Sequence, residues 1–136
     1  MCFNLEVLSP ETAREIRRRR GLNQTDFWKK LFGVTQGAGC RYEQDRSEKG
    51  HREMPGPMRV LLHEWLACDG KVKFNFRRVP AKTIRELRGT SGLTQAEFWG
   101  LFGATQSTGS RYEQSHHQPP RPMNAALRLY MEQHRQ

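Results

Sequence analysis

At 136 residues, with 35% hydrophobic and 10% aromatic content, the chain has enough apolar material for a core and too much for a disordered tail. No apolar run approaches the roughly 18 residues of a membrane span, and Met1–Pro10, which contains Glu6 and lacks a basic stretch, does not read as a secretory signal. Net charge is +9 and uneven: residues 1–70 hold 12 Lys/Arg against 10 Asp/Glu and residues 71–136 hold 11 against 4, leaving the halves near +2 and +7.

Taken from the N-terminus, the elements occur twice, which marks a duplication. Phe3-Asn4 opens an alternating stretch, Phe3/Leu5/Val7, and recurs as Phe74-Asn75 with Phe76. Each stretch is compatible with one short N-terminal strand, and two such strands in one chain would tie the copies together by pairing. A first helix follows. Ser9-Pro10-Glu11 supplies an N-cap, a proline in the first turn and an acid behind it. Arg14-Glu15-Ile16-Arg17 recurs as Arg85-Glu86-Leu87-Arg88, and Ala13 with Ile16, or Ile84 with Leu87, gives an inner face. The run Arg17 to Arg20 reads either as a solvated helix end favoured by the dipole or as a phosphate contact.

The second helix opens at Asn23 or Thr94. Gly21-Leu22-Asn23-Gln24-Thr25-Asp26-Phe27-Trp28 recurs as Gly92-Leu93-Thr94-Gln95-Ala96-Glu97-Phe98-Trp99. Thr94 and Glu97 have capping-box spacing, which Asn23 and Asp26 imitate. Gly33 and Gly103 should end this helix at positive φ. The first copy carries one extra residue between Trp28 and Gly33. Either the residue is absorbed as a bulge or it turns the following helix away, so the second copy is expected to be the stronger of the two.

The third helix, capped by Thr35 or Thr105, runs Gln36-Gly37-Ala38-Gly39-Cys40-Arg41-Tyr42 or Gln106-Ser107-Thr108-Gly109-Ser110-Arg111-Tyr112. Its first turn holds no carboxylate in either copy, so its amide donors and positive dipole are open to a phosphate. Gly39 and Gly109 cost a helix interior about 1 kcal/mol relative to alanine. A packing reason is therefore expected, and the resemblance drawn below implies one: the positions of Trp28 and Trp99 face those of Gly39 and Gly109, so the indoles should fill the space each glycine leaves. Tyr42 and Tyr112 are expected inside. After Pro57-Met58 and Pro122-Met123, apolar helices over 58–67 and 123–132 read as core plus an interface between copies or between chains.

The residues Leu93-Thr94-Gln95-Ala96-Glu97-Phe98, Gly103-Ala104-Thr105-Gln106-Ser107 and Ser110-Arg111-Tyr112-Glu113 resemble the lambda-repressor/Cro class, the Xre-type (Cro/C1-type) helix-turn-helix family. The resemblance implies a mainly α protein of two tandem lambda-repressor-like units, residues 1–70 and 71–136, each a compact five-helix domain whose third helix enters the major groove. It implies that Gln24 and Gln95 touch phosphate and brace the base-reading Gln36 and Gln106, whose amides suit adenine N6/N7. Gly37, Ala38, Ser107 and Thr108 follow on the groove edge. Arg41 and Arg111 suit guanine or phosphate, and Arg46 with the segment through Arg52 follows the backbone.

The function expected is that of a sequence-specific transcriptional regulator of double-stranded DNA, a bacterial or phage repressor or autoregulator in the cytoplasm, working as an intramolecular pseudo-dimer or a homodimer on an imperfect palindrome. The alternative is a protein-interaction module, an antitoxin or anti-activator in which one copy no longer binds DNA. RNA binding is permitted by charge, but the aromatic strand motif of single-strand readers is missing. No nucleophile–base pair, carboxylate pair or phosphate-cradling loop points to an enzyme, and no cofactor is implied. Three cysteines, Cys2, Cys40 and Cys68, suggest no disulfide framework, and Cys40, His51, His63 and Cys68 match no familiar metal-ligand spacing.

Overall fold

The computed structural model describes residues 3–134, and Cys2 lies outside them. Each copy is four helices, not the five that the lambda-repressor resemblance implied. In the first these are α1 (Pro10–Arg19), a π-helix π1 (Thr25–Leu31), α2 (Gln36–Glu43) and α3 (Gly56–Ala67). In the second they are α4 (Ala81–Ser91), α5 (Gln95–Gly100), α6 (Gln106–Glu113) and α7 (Arg121–Gln133).

Local chemistry sets the boundaries. Ser9 Oγ accepts from the Thr12 amide, and Pro10 opens α1. Thr94 and Glu97 close the expected capping box, whereas Asn23 makes only half of one, accepting from the Asp26 amide at 2.7 Å. Gly33 and Gly103 sit at φ 71° and 69°, in the left-handed region that ends the helix before each turn.

The extra residue of the first copy is absorbed by π1. A wider turn accommodates one more residue than an α-helix over the same rise. In the second copy the Ala104 amide donates to the Trp99 carbonyl; in the first the Val34 amide reaches back one residue further, to Trp28, at 3.2 Å. Beyond that bond the copies are again in step. Phe27–Phe32 and Phe98–Phe102 centroids are 5.1 and 5.4 Å apart, and Trp28–Phe32 and Trp99–Phe102 are both 6.0 Å. Of the two outcomes expected for the insertion, the structure shows the bulge, and the helix after it keeps its place.

No strand forms among the described residues, so the expected strand pairing is replaced by a crossing of side chains. The Phe3 ring lies 5.5 Å from Phe102 and 6.5 Å from Tyr130 of the second copy. Reciprocally, the Phe74 ring lies 5.9 Å from Phe32 of the first. Leu5 covers Gly103, and Phe76 covers Gly33. Each arm thus plugs the turn of the other copy, and α3 packs on α7 between them. Contacts that return the same residues from both sides define an approximate two-fold relation. A single core results, with Trp28, Trp65, Leu61, Leu62, Trp99, Met123 and Leu127 within it.

Candidate nucleic-acid interface

In both copies the third helix is held against the second by one buried carboxylate. Glu43 and Glu113 are each 3% exposed. Glu43 accepts from Trp28 Nε1 at 2.5 Å and from Arg17 Nε and Nη2 at 2.8 and 2.9 Å. Glu113 accepts from Trp99 Nε1 at 2.8 Å and from Arg88 Nε at 2.9 Å. Burial alone would raise the Glu43 carboxyl, but the bonds from Arg17 and Trp28 and the Arg17 charge outweigh it and hold the pKa below its ordinary value. One side chain therefore joins the first three of the four helices in each unit.

The role of these glutamates was missed in the sequence although both lie in a repeated Arg-Tyr-Glu-Gln motif. A signal was there. A carboxylate at the last residue of a helix opposes the dipole, so its presence at that place in both copies called for a partner. Arg17 is accordingly a structural residue, and Arg20 pairs with Asp69 at 2.8 Å; within the Arg17–Arg20 run, neither is free for a phosphate.

Opposite the carboxylate, Gly39 and Gly109 meet the indoles as expected. A Cβ built on either glycine would fall on Trp28 or Trp99 ring atoms, so only glycine lets the helices close. Tyr42 and Tyr112 complete the packing edge-on to those indoles, at 5.4 and 5.6 Å.

The outer edge of each third helix carries the residues singled out for recognition. Gln36 Nε2 donates to Gln24 Oε1 at 3.0 Å, and Gln106 Nε2 donates to Gln95 Oε1 at 3.3 Å. Gln24 is itself turned by a 3.4 Å bond to Glu43. Each bracing glutamine leaves its partner one free amide hydrogen and a free carbonyl oxygen, the pair that adenine N7 and N6 require. Gly37, Ser107, Arg41 and Arg111 are exposed, and Ala38 and Thr108 are half-buried behind the caps Thr35 and Thr105. Among the described residues neither Arg41 nor Arg111 is in a salt bridge. Gln95, Gln106, Ser107, Ser110, Arg111 and His116 are among the residues lining an open cleft of about 510 Å³ along the second copy.

Arg46 stands apart from this group. It is bonded to Glu53 at 2.6 Å, beside His51 at 2.9 Å, and the Glu53 carboxyl is pulled down to about 2 by those two partners. The four residues weighed as metal ligands are not gathered: His51 Nδ1 faces the Gln44 carbonyl, and His63 Nε2 faces the Glu6 carbonyl 2.9 Å away.

Helix, turn and helix locked by a buried glutamate, shown twice, define a tandem helix-turn-helix protein of the kind found in DNA-binding regulators. A family model for the RsaL-like HTH domain matches residues 14–63 and again 85–130, and the chain belongs to that family. The match falls separately on the two copies. The narrower Xre-type assignment is not what the family comparison returns; the resemblance holds at the level of the helix-turn-helix. No curated protein and no solved structure matches the chain.

Proposed function

We propose that the protein is a sequence-specific regulator of transcription that binds duplex DNA as an intramolecular pseudo-dimer, its units 1–70 and 71–136 each presenting one recognition helix. The observation that carries this reading is the braced glutamine pair, Gln24–Gln36 and Gln95–Gln106, displayed twice, with Arg41 or Arg111 five residues further along the same helix and in no salt bridge among the described residues. Two such heads on a two-fold body suit half-sites about 34 Å apart. Gly37, Ala38, Ser107, Thr108 and Arg41 or Arg111 would complete the base contacts, and Arg46 would reach phosphate only after leaving Glu53. A bacterial or phage repressor or autoregulator acting on chromosomal DNA in the cytoplasm fits these features.

The antitoxin-like reading draws on the inserted residue and the low charge of the first copy; against the first of these stands the π-helix, which takes up the residue and leaves the aromatic spacings of the two copies alike. Selection of bound sites from random duplex DNA at physiological salt tests the proposal. A two-part motif is expected, with one part lost in Gln106→Ala. Arg111→Ala should weaken binding to that site by about 1–3 kcal/mol. Recovery of no motif at all would refute sequence-specific binding.

A further inference from the structure

We infer that the strap between the two copies, residues 71–78, grips the phosphate backbone at the half-site read by the first copy, not the second. This rests on the duplex-DNA reading above. The strap carries Lys71, Lys73, Arg77 and Arg78 and no acid. Val72, Phe74 and Phe76 are half-buried while Lys71, Lys73, Asn75, Arg77 and Arg78 are exposed, so alternate residues face protein and solvent. The inward rings sit on the first copy: Phe74 against Phe32, and Phe76 against Gly33, two residues before the Thr35 cap of α2. Lys71 and Lys73, on either side of Val72, and Arg77, next to the ring that covers Gly33, are thereby carried towards the first helix-turn-helix, although by sequence the whole strap belongs to the second copy.

The strap is fixed, not trailing. Arg128 donates to the Arg77 and Arg78 carbonyls at 2.7 and 2.8 Å, and the Val79 amide donates to Asn124 at 3.2 Å. The Arg128 guanidinium is thus held on the backbone of two further arginines, and among the described residues none of the three, nor Lys71 or Lys73, is in a salt bridge. Like charges gathered without an acid oppose folding, and a polyanion is the ligand that relieves them. The other arm places Glu6 and Val7 where the strap has Arg77 and Arg78, and it packs on the second copy through Phe3 and Leu5. Assigning the strap's four cations and the one acid of the first arm to the bodies they cover turns +2 and +7 into +7 and +2. The charge poverty of the first copy is a property of its sequence and not of its surface.

The test uses the full chain on a selected operator. In Lys71→Gln/Lys73→Gln/Arg77→Gln/Arg78→Gln, the slope of log K against log salt should shrink by about 0.9 for each phosphate no longer neutralised, roughly 2–4 in all. Phosphate-ethylation interference should vanish beside the half-site that Gln36→Ala disrupts, while the ratio of operator to random-DNA affinity changes little. Glu6→Arg/Val7→Arg, which leaves the strap intact, should steepen the slope and add interference beside the other half-site. An unchanged slope in both variants, or interference that disappears beside the Gln106 half-site, overturns the inference while leaving DNA binding intact. A wild-type chain that binds no duplex overturns the DNA reading itself.

Discussion

Gly39→Ala and Gly37→Ala make the same chemical change two residues apart in one helix, and the structure assigns them opposite signs. At Gly37 an added Cβ meets nothing within 4 Å, so alanine should stabilise by about 0.5–1 kcal/mol through helix propensity and a less flexible unfolded chain. At Gly39 the added carbon lands on the Trp28 ring, which has nowhere to go. That indole is fully buried, flanked by Phe27 at 4.8 Å and Tyr42 at 5.4 Å, and anchored through Nε1 to Glu43. Overpacking costs about 1–3 kcal/mol, and breaking a buried hydrogen bond costs about 1–3 more if the ring shifts. The helix-propensity gain returns about 1 kcal/mol, leaving a net loss of about 1–5 kcal/mol when the ring is driven off Glu43. Urea titrations followed by tryptophan fluorescence give the midpoints, provided the slopes agree. A Gly39→Ala midpoint equal to or above wild type would refute the pairing of small and large residues. Gly109→Val should repeat the loss against Trp99.

Acid should loosen the first lock. The Glu43 carboxyl lies below its ordinary 4.5 in the fold, so the stability linked to it is complete above that value and is lost as pH falls through the lower folded one. Glu43→Gln should flatten that acid limb and cost about 3–5 kcal/mol at neutral pH, because it strands Arg17; parallel limbs in urea midpoints measured against pH would count against it. Deleting Lys30 should convert π1 into an α-helix like α5 and keep the Trp28 indole N–H resonance at its hydrogen-bonded shift, whereas loss of that resonance would mean the insertion is needed. Phe74→Ala, at a half-buried ring, should destabilise by about 2 kcal/mol, half the cost of a fully buried phenylalanine; a shift under about 0.5 kcal/mol in the same titration would show that the crossing rings bind the copies weakly.

The duplication, the caps and the glycine–indole contact were legible because each depends on residues close in sequence or repeated at a fixed offset. Ser9, Thr35, Thr94 and Thr105 cap where their side chains and spacing require. What could not be read was which copy each arm would cover. Phe3 and Phe74 look alike, and packing on one's own copy or on the other leaves the same hydrophobic pattern; only the assembled surface decides. The count of five helices came only with the lambda-repressor resemblance. The residues after the third helix read as one apolar helix in each copy, over 58–67 and 123–132, and α3 and α7 are those single helices, packed on each other. The Glu43 and Glu113 locks were within reach, through the mismatch between an acid and a helix C-terminus, but their partners Arg17 and Arg88 lie 26 and 25 residues away.

The distribution of likeness between the copies carries a last consequence. Residues that hold the unit together are the same in both: Trp28 and Trp99, Gly39 and Gly109, Glu43 and Glu113, Arg17 and Arg88, with the braced glutamines. Residues on the outer edge of the third helix are not. Gly37, Ala38 and Cys40 stand opposite Ser107, Thr108 and Ser110. In a homodimer any change at such a position appears in both heads and keeps the site palindromic. Joined in one chain, each head changes alone. Under the DNA-binding reading, the two half-sites therefore share the bases opposite the glutamines and differ at the steps after them, with hydroxyl donors available only to the second copy. Exchanging Gly37→Ser and Ala38→Thr into the first head should make the selected site more nearly palindromic, and a site that stays equally asymmetric would place specificity outside the recognition helices.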